Sequence, residues 1–129
     1  MAGYSKKKLA DKLGLTPGFR ACVVQPPPGY RRLLGMKFPH KLASSCDFIQ
    51  YFSKDEHELR AAFPRLKRSL KKEGMLWVSW PKQSSGVKTD LRENVVMKVG
   101  LAHGLVDVKV AAIDETWSGL KFVWRVKDR

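Results

Sequence analysis

The sequence predicts an α/β fold, a three-layer sandwich with a mostly parallel sheet and an antiparallel strand near its C-terminus. Three apolar runs of strand character, Phe19–Gln25, Asp47–Phe52 and Met75–Trp80, alternate with segments of helical periodicity. Strands that alternate with helices are typical of parallel sheets joined by right-handed crossovers. Two segments of period two follow, Val106–Ala112 and Leu120–Val126, and their short connection favours an antiparallel pair.

The first part of the chain predicts a short helix, the first strand and a proline-rich loop. Ser5 is expected to cap a helix that runs to about Leu13. The first strand, Phe19–Gln25, is followed by the P-P-P-G-Y sequence of Pro26–Tyr30. Because proline has no backbone N–H, this loop offers fewer donors to a phosphate group than a glycine-rich nucleotide-binding loop does. A short helix over Tyr30–Gly35 is expected next.

A long helix is predicted between the second and third strands, from a cap at Ser53 or Asp55 to about Lys72. Pro64 lies inside it, which predicts either a kink or two abutting helices. One apolar face is indicated by four residues at spacings of four, three and four: Leu59, Phe63, Leu66 and Leu70.

The third strand, Met75–Trp80, is apolar nearly throughout, which is typical of a central strand covered on both faces. After the Lys82–Lys88 loop, a helix is expected to begin at Thr89 or Asp90. Glu93 stands three residues after Asp90, and this spacing predicts a capping box.

Composition predicts a single domain over residues 1–129 with a packed interior, since 43% of the residues are hydrophobic. No uncharged apolar run is long enough to cross a membrane, and no secretory signal is recognisable, so we expect no membrane partner and a cytoplasmic location. Cys22 and Cys46 match no zinc or redox spacing and are expected to be free thiols. Since the histidines lie in unrelated local contexts, no metal site is predicted.

Charge is the unusual feature of the composition. Twenty-five Lys and Arg against twelve Asp and Glu give a net charge of +13 and a pI near 10.1. Such a surface attracts polyanions, and it is interpreted either as a basic solubilising surface or as a nucleic-acid-binding module with weak, salt-sensitive affinity. The candidate contacts of such a module lie in the second half of the long helix: Arg65, Lys67, Arg68, Lys71 and Lys72.

Several short motifs follow one another in the order of a known enzyme family. They are the L-T-P-G-F-R entry at Leu15–Arg20, the Asp47–Ile49 strand, the Leu66–Gly74 helix end and the Met75–Ser79 strand. This pattern resembles the class I S-adenosylmethionine methyltransferases in reduced form. The resemblance implies a Rossmann-like, methyltransferase-like fold, and a divergent S-adenosylmethionine-dependent methyltransferase as one alternative function.

Longer strings also resemble a bacterial family of small uncharacterised proteins. They are L-W-V-S-W-P-K at Leu76–Lys82, T-D-L-R-E-N-V at Thr89–Val95 and W-S-G-L-K-F at Trp117–Phe122. This second resemblance spans nearly the whole chain and implies the same fold. It implies no particular activity.

The chain departs from the methyltransferase pattern where that family binds its cofactor. Pro26–Tyr30 stands in place of a glycine-rich loop, and Met36–Ser45 holds no acid to bind a ribose. Phe52–Asp55 stands in place of a catalytic tetrapeptide of the D/N-P-P-Y type. The sequence therefore favours a protein with no cofactor and no catalytic residues, although an enzyme with a rebuilt loop stays an alternative.

The candidate ligand site lies at the carboxyl edge of the sheet, where α/β folds bind ligands. The Lys82–Thr89 segment combines hydroxyls, cations and a predicted helix N-terminus, which are the parts of an anion site; a solvated loop is the alternative. Trp80 and Trp117 are expected to flank one cleft there, unless both belong to the core. These observations predict a non-catalytic domain that binds an anionic ligand or partner through a set of eight residues: Tyr30, Trp80, Lys82, Ser84, Ser85, Lys88, Thr89 and Trp117.

Overall fold

The computed structural model describes residues 8–39 and 41–129, so the predicted cap at Ser5 and the side chain of His40 lie outside the described residues. In chain order the elements are α1 (Leu9–Leu13), β1 (Ala21–Val24), α2 (Tyr30–Leu34), β2 (Cys46–Phe52), α3 (Glu56–Ser69), β3 (Leu70–Pro81), a 3₁₀ turn (Gln83–Ser85), α4 (Glu93–Ala102), β4 (Leu105–Ala112), β5 (Trp117–Trp124) and a 3₁₀ turn (Val126–Asp128). Within these residues no helix has the length and apolarity that crossing a membrane requires.

The described strands form one sheet in the order β1-β2-β3-β5-β4. β1, β2 and β3 are parallel, whereas β5 runs antiparallel to both β3 and β4. The predicted α/β class, with a mainly parallel sheet and an antiparallel C-terminal strand, is therefore confirmed. The last strand begins at Trp117, three residues before the predicted start.

Helices cover both faces of the sheet. The sheet therefore separates the core into two clusters. On one face, α3 and α4 pack with side chains that include Tyr51, Trp80 and Phe122. On the other face, α1 and α2 pack with Phe48, Phe52 and Trp77 among others. The indole Nε1 of Trp77 donates to the carbonyl of Leu13 at 2.9 Å, which joins the end of α1 to the central strand.

The long helix α3 begins at a predicted cap but ends earlier than its sequence pattern suggests. Asp55 is its cap, because one carboxylate oxygen accepts the Glu58 N–H at 2.8 Å. One α-helix contains Pro64, so the two abutting helices do not form. Leu70 is already extended and pairs with Cys46, which places Lys71 and Lys72 on β3 instead of on the helix.

The predicted start of α4 is wrong. The helix begins at Glu93 with Arg92 as its N-cap, and the expected capping box does not form. The side chain of Asp90 accepts the Glu56 N–H of α3 at 2.8 Å. Thr89 donates through its hydroxyl to the carbonyl of Lys54 at 2.6 Å. Both side chains therefore hold the loop before α4 against the start of α3.

Cys22 and Cys46 are free and buried. The Cys22 thiol donates to the carbonyl of Lys41, and the Cys46 thiol donates to the carbonyl of Ala43. Burial, together with the neighbouring Cys46, raises the pKa of Cys22 to about 11. Since the thiolate is the reactive form, both cysteines are inert core residues at neutral pH.

Candidate functional site

The loops after β1 and β3 and the turn before β5 share the carboxyl edge of the sheet. β1, β2 and β3 end there at Val24, Phe52 and Pro81. The antiparallel β5 begins at the same edge, because Pro81 pairs with Trp117 and the Lys82 N–H donates to the carbonyl of Thr116 at 2.8 Å. Ligands of open α/β sheets bind at this edge, so it is the part of the molecule in which to look for a site.

The single cleft predicted between Trp80 and Trp117 does not exist. Trp80 lies opposite Ser118 and Pro81 lies opposite Trp117, while successive strand residues point to opposite faces. Trp80 is 5% exposed and packs under α3 and α4. Trp117 is half-buried on the other face, with its ring edge-on to Phe52 at 5.1 Å. The sheet separates the two indoles.

A first groove, the proline-loop groove, lies between the loop after β1 and the turn before β5. Its volume is about 410 Å³. It contains two of the predicted residues, and its lining consists of Pro27, Pro28, Gly29, Tyr30, Leu33, Asp114, Thr116 and Trp117.

A buried polar chain supports this groove from below. The Tyr30 hydroxyl donates to the Gln50 side-chain carbonyl, and the Gln50 amide donates to the Ser79 hydroxyl at 3.1 Å. All three side chains are buried, and burial raises the pKa of Tyr30 far above its ordinary value. Sequence reasoning missed Gln50 and Ser79, although each is a polar residue flanked by apolar residues within a strand.

A second groove, the α4 groove, lies on the other face of the sheet at the N-terminus of α4. Its volume is about 230 Å³, and it brings together Lys82, Arg92 and Glu93. Arg92 caps the helix without a side-chain hydrogen bond. The first N–H groups of a helix have no partner within it, so the positive end of α4 opens towards this groove. The described lining residues are Trp80, Pro81, Lys82, Gln83, Leu91, Arg92, Glu93 and Ser118.

The other four predicted residues line neither groove. Ser84 and Lys88 are exposed on the loop. The Ser85 hydroxyl donates to the Lys82 carbonyl at 2.6 Å and accepts the Val87 N–H at 3.1 Å. The Thr89 hydroxyl donates to the carbonyl of Lys54 and accepts the Leu91 N–H. Two of the hydroxyls predicted for an anion site at Lys82–Thr89, those of Ser85 and Thr89, are therefore bonded within the chain, and the positive helix end lies at Arg92–Glu93.

A further polar cluster closes the ends of β1 and β2. Gln25 has the unusual φ of 57°, and its amide donates to the carbonyl of Phe52 at 2.8 Å. The Gln25 amide also donates to the Glu58 carboxylate at 3.2 Å, and the same carboxylate oxygen accepts from the Ser53 hydroxyl at 2.8 Å. The left-handed backbone at Gln25 is a strained conformation that these bonds maintain. No sequence motif indicated this cluster.

The five cations proposed for nucleic acid do not form one helix face. Lys71 pairs with Asp47 at 3.0 Å. Lys72 donates to the carbonyl of Asp128 at 2.9 Å, and Lys67 donates to the carbonyl of His103 at 2.7 Å. The remaining two, Arg65 and Arg68, are exposed on α3. Among residues 8–39 and 41–129, no group of three or more metal-binding side chains is assembled.

Comparison with solved structures identifies the fold. The magnesium protoporphyrin IX methyltransferase from Synechocystis PCC 6803 superimposes with a TM-score of 0.65 at 12% identity, over 91% of this chain and 80% of that chain. A TehB-like SAM-dependent methyltransferase from Corynebacterium glutamicum gives a TM-score of 0.58 at 10% identity, over 96% and 91% of the two chains. The protein has a methyltransferase-like fold.

The same fold recurs in a protein of another description. The fibrillarin pre-rRNA processing protein of Methanococcus jannaschii is 15% identical with a TM-score of 0.50, and the match covers 81% of this chain. This methyltransferase-like chain spans only 55% of that protein. No protein-family model matches the sequence, and no curated protein matches it.

The residues present do not fit S-adenosylmethionine at the position of the family's glycine loop. Prolines supply no donors, and the Tyr30 N–H donates to the carbonyl of Pro27 at 3.1 Å. The outer edge of β1 is covered, because the Val23 N–H donates to the carbonyl of Pro39 at 3.0 Å. By sequence, Met36–Ser45 contains no carboxylate for a ribose.

Proposed function

We propose that the protein is a non-catalytic methyltransferase-like domain that binds a small anionic ligand in the α4 groove. The observation that carries this proposal is the meeting of Lys82 and Arg92 at the open N-terminus of α4. Cations and free helix N–H groups both stabilise a bound anion. Among the described lining residues Glu93 is the one acid, so the two cations leave a net positive groove.

The rest of the molecule supports the same ligand class. The net charge of +13 raises the local concentration of anions and speeds their encounter with the protein. The groove also lies at the carboxyl edge, beside the end of β3 at Pro81. A phosphate-bearing small molecule has the charge and the acceptor oxygens that such a site requires.

Removing the two cations is expected to weaken anion binding strongly. The probes are inorganic phosphate, pyrophosphate, ADP and ribose 5-phosphate, each titrated by calorimetry at low and at moderate salt. For the probe that binds, Lys82→Ala and Arg92→Ala should each raise Kd about tenfold, since a hydrogen bond to a charged group contributes about 1.5–3 kcal/mol.

Lys88→Ala is the matched control, because Lys88 is an exposed cation of the same loop that does not line the groove. Its Kd should stay within about twofold of the unsubstituted protein at moderate salt, where distant charges are screened. The proposal fails if none of the four anions binds, or if Lys88→Ala weakens binding as much as Lys82→Ala does.

The alternative is a divergent S-adenosylmethionine-dependent methyltransferase, which the methyltransferase neighbours favour at the level of fold. This alternative predicts that S-adenosylmethionine or its demethylated product stabilises the protein against heat. At a ligand concentration of 100 Kd, the free energy of unfolding should rise by about 2.7 kcal/mol. An unchanged melting temperature at millimolar cofactor would remove the alternative.

Two further expectations stay predictions. A nucleic-acid function through Arg65, Lys67, Arg68, Lys71 and Lys72 would show an affinity that falls steeply with salt. Membership of the bacterial family of small proteins depends on the three strings at Leu76–Lys82, Thr89–Val95 and Trp117–Phe122.

A further inference from the structure

We propose that the proline-loop groove is a second binding site, and that it takes a small organic cation with an apolar or aromatic body. This site lies on the opposite face of the sheet from the α4 groove and has the opposite ligand preference. It does not depend on the proposed anion site.

The groove offers few free backbone N–H donors. Pro27 and Pro28 have no N–H, and the N–H groups of Tyr30, Leu33 and Asp114 donate to carbonyls of the chain. The N–H groups of Thr116 and Trp117 donate to the Asp114 carboxylate. Among the lining residues, the backbone N–H left without such a partner is that of Gly29. A bound anion would therefore find few backbone donors here, beside the side-chain donors of Thr116 and Trp117, whereas a donor-bearing ligand would find the Asp114 carboxylate.

Asp114 supplies the charged acceptor. Its Oδ1 atom accepts the Thr116 N–H at 2.8 Å and the Trp117 N–H at 2.7 Å, which orients the carboxylate. No hydrogen bond from the described residues reaches the other oxygen, Oδ2. Asp114 is also the one charged side chain among the described lining residues. The groove therefore presents an oriented carboxylate with one oxygen available to an ammonium or guanidinium group.

The floor and walls suit an apolar body. Two lining rings, those of Trp117 and Tyr30, each pack edge-on against the buried Phe52 ring behind them, with ring centroids 5.1 Å and 4.8 Å from it. Trp117 is half-buried, and Leu33 is 45% exposed beside the prolines. A cation near an indole ring gains about 0.5–2 kcal/mol. The buried bond from Tyr30 to Gln50 holds this floor in place before any ligand arrives.

The test uses three ligands that share one body and differ in charge: phenethylamine, 2-phenylethanol and phenylacetate. Their affinities are measured on the full chain by ligand-observed NMR and calorimetry at about 0.15 M salt, where screening over about 8 Å limits the repulsion from the distant cations. Phenethylamine should bind at least about tenfold more tightly than the alcohol, and phenylacetate should not bind.

Asp114→Asn is the decisive variant, because the amide oxygen can still accept the Thr116 and Trp117 N–H groups while the charge is removed. It should lose at least tenfold in phenethylamine affinity. Glu115→Gln removes the neighbouring exposed charge, which does not line the groove, and should leave the affinity unchanged. Circular dichroism and thermal melts establish that both variants fold.

Three results would overturn the proposal: no binding of the amine, equal or tighter binding of phenylacetate, or equal losses in Asp114→Asn and Glu115→Gln. The outcome is separable from that of the anion site. Lys82→Ala should not change amine binding, and Asp114→Asn should not change pyrophosphate binding, because the two grooves lie on opposite faces of the sheet.

Discussion

Gly100→Ala is expected to destabilise the protein, although the same change inside a helix ordinarily stabilises it by up to about 1 kcal/mol. Gly100 faces the sheet from α4, and a Cβ atom there would stand 2.0 Å from Cε1 of Phe122. The Phe122 ring is fully buried and also packs edge-on against Phe63 at 5.8 Å, so it has little room to move. Overpacking of this kind should cost about 2 kcal/mol net.

The measurement is a thermal melt, in which a loss of about 2 kcal/mol lowers Tm by about 7 °C for a domain of this size. The control is Leu101→Ala, at an exposed neighbour on the same helix, with an expected change within about 0.5 kcal/mol. Adding Phe122→Leu to Gly100→Ala should recover part of the loss, so the double variant should be less destabilised than the sum of the single ones. A Gly100→Ala protein as stable as the parent would show that α4 does not pack this closely on β5.

Gln50→Leu is expected to cost about 3 kcal/mol although it places an apolar side chain in an apolar core. The reason lies in its partners. The Tyr30 hydroxyl loses its acceptor and the Ser79 hydroxyl loses its donor, and both groups stay buried. Each unsatisfied buried group costs about 1–3 kcal/mol.

Urea unfolding of Gln50→Leu and Tyr30→Phe, singly and together, measures this effect. Removal of the Tyr30 hydroxyl from the Gln50→Leu background should restore about 1 kcal/mol or more, because one unsatisfied group disappears. Gln83→Leu makes the same change at an exposed position and should alter the free energy of unfolding by less than about 0.5 kcal/mol. Additive effects of Tyr30→Phe and Gln50→Leu would contradict the hydrogen bond between them.

Local sequence patterns were sufficient to predict most of the fold. The apolar run at Met75–Trp80 marks the central strand, and the alternation after Gly104 marks the antiparallel pair. Asp55 is predicted as a cap and is one, because its carboxylate bonds an N–H three residues away. Each of these features depends on neighbours in the chain, which a sequence displays directly.

The two wrong helix boundaries have the same cause. In each case a residue distant in sequence forms the contact that decides the local structure. Asp90 has the spacing of a capping residue for α4, but its carboxylate is taken by Glu56, 34 residues earlier. Lys71 and Lys72 continue the basic pattern of α3, yet the pairing of Leu70 with Cys46 turns the chain into β3 before them. Spacing along the chain contains no information about such competitors.

The sequence by itself determined the class of fold, the central strand and a proline loop too poor in donors to cradle a phosphate, since these follow from periodicity and from the chemistry of single residues. Only the tertiary structure shows where the grooves at the carboxyl edge lie. The register of β3 against β5 puts Trp80 and Trp117 on opposite faces, so one expected cleft becomes two grooves. A shift of one residue would reverse that result, and register is set by packing across the whole sheet.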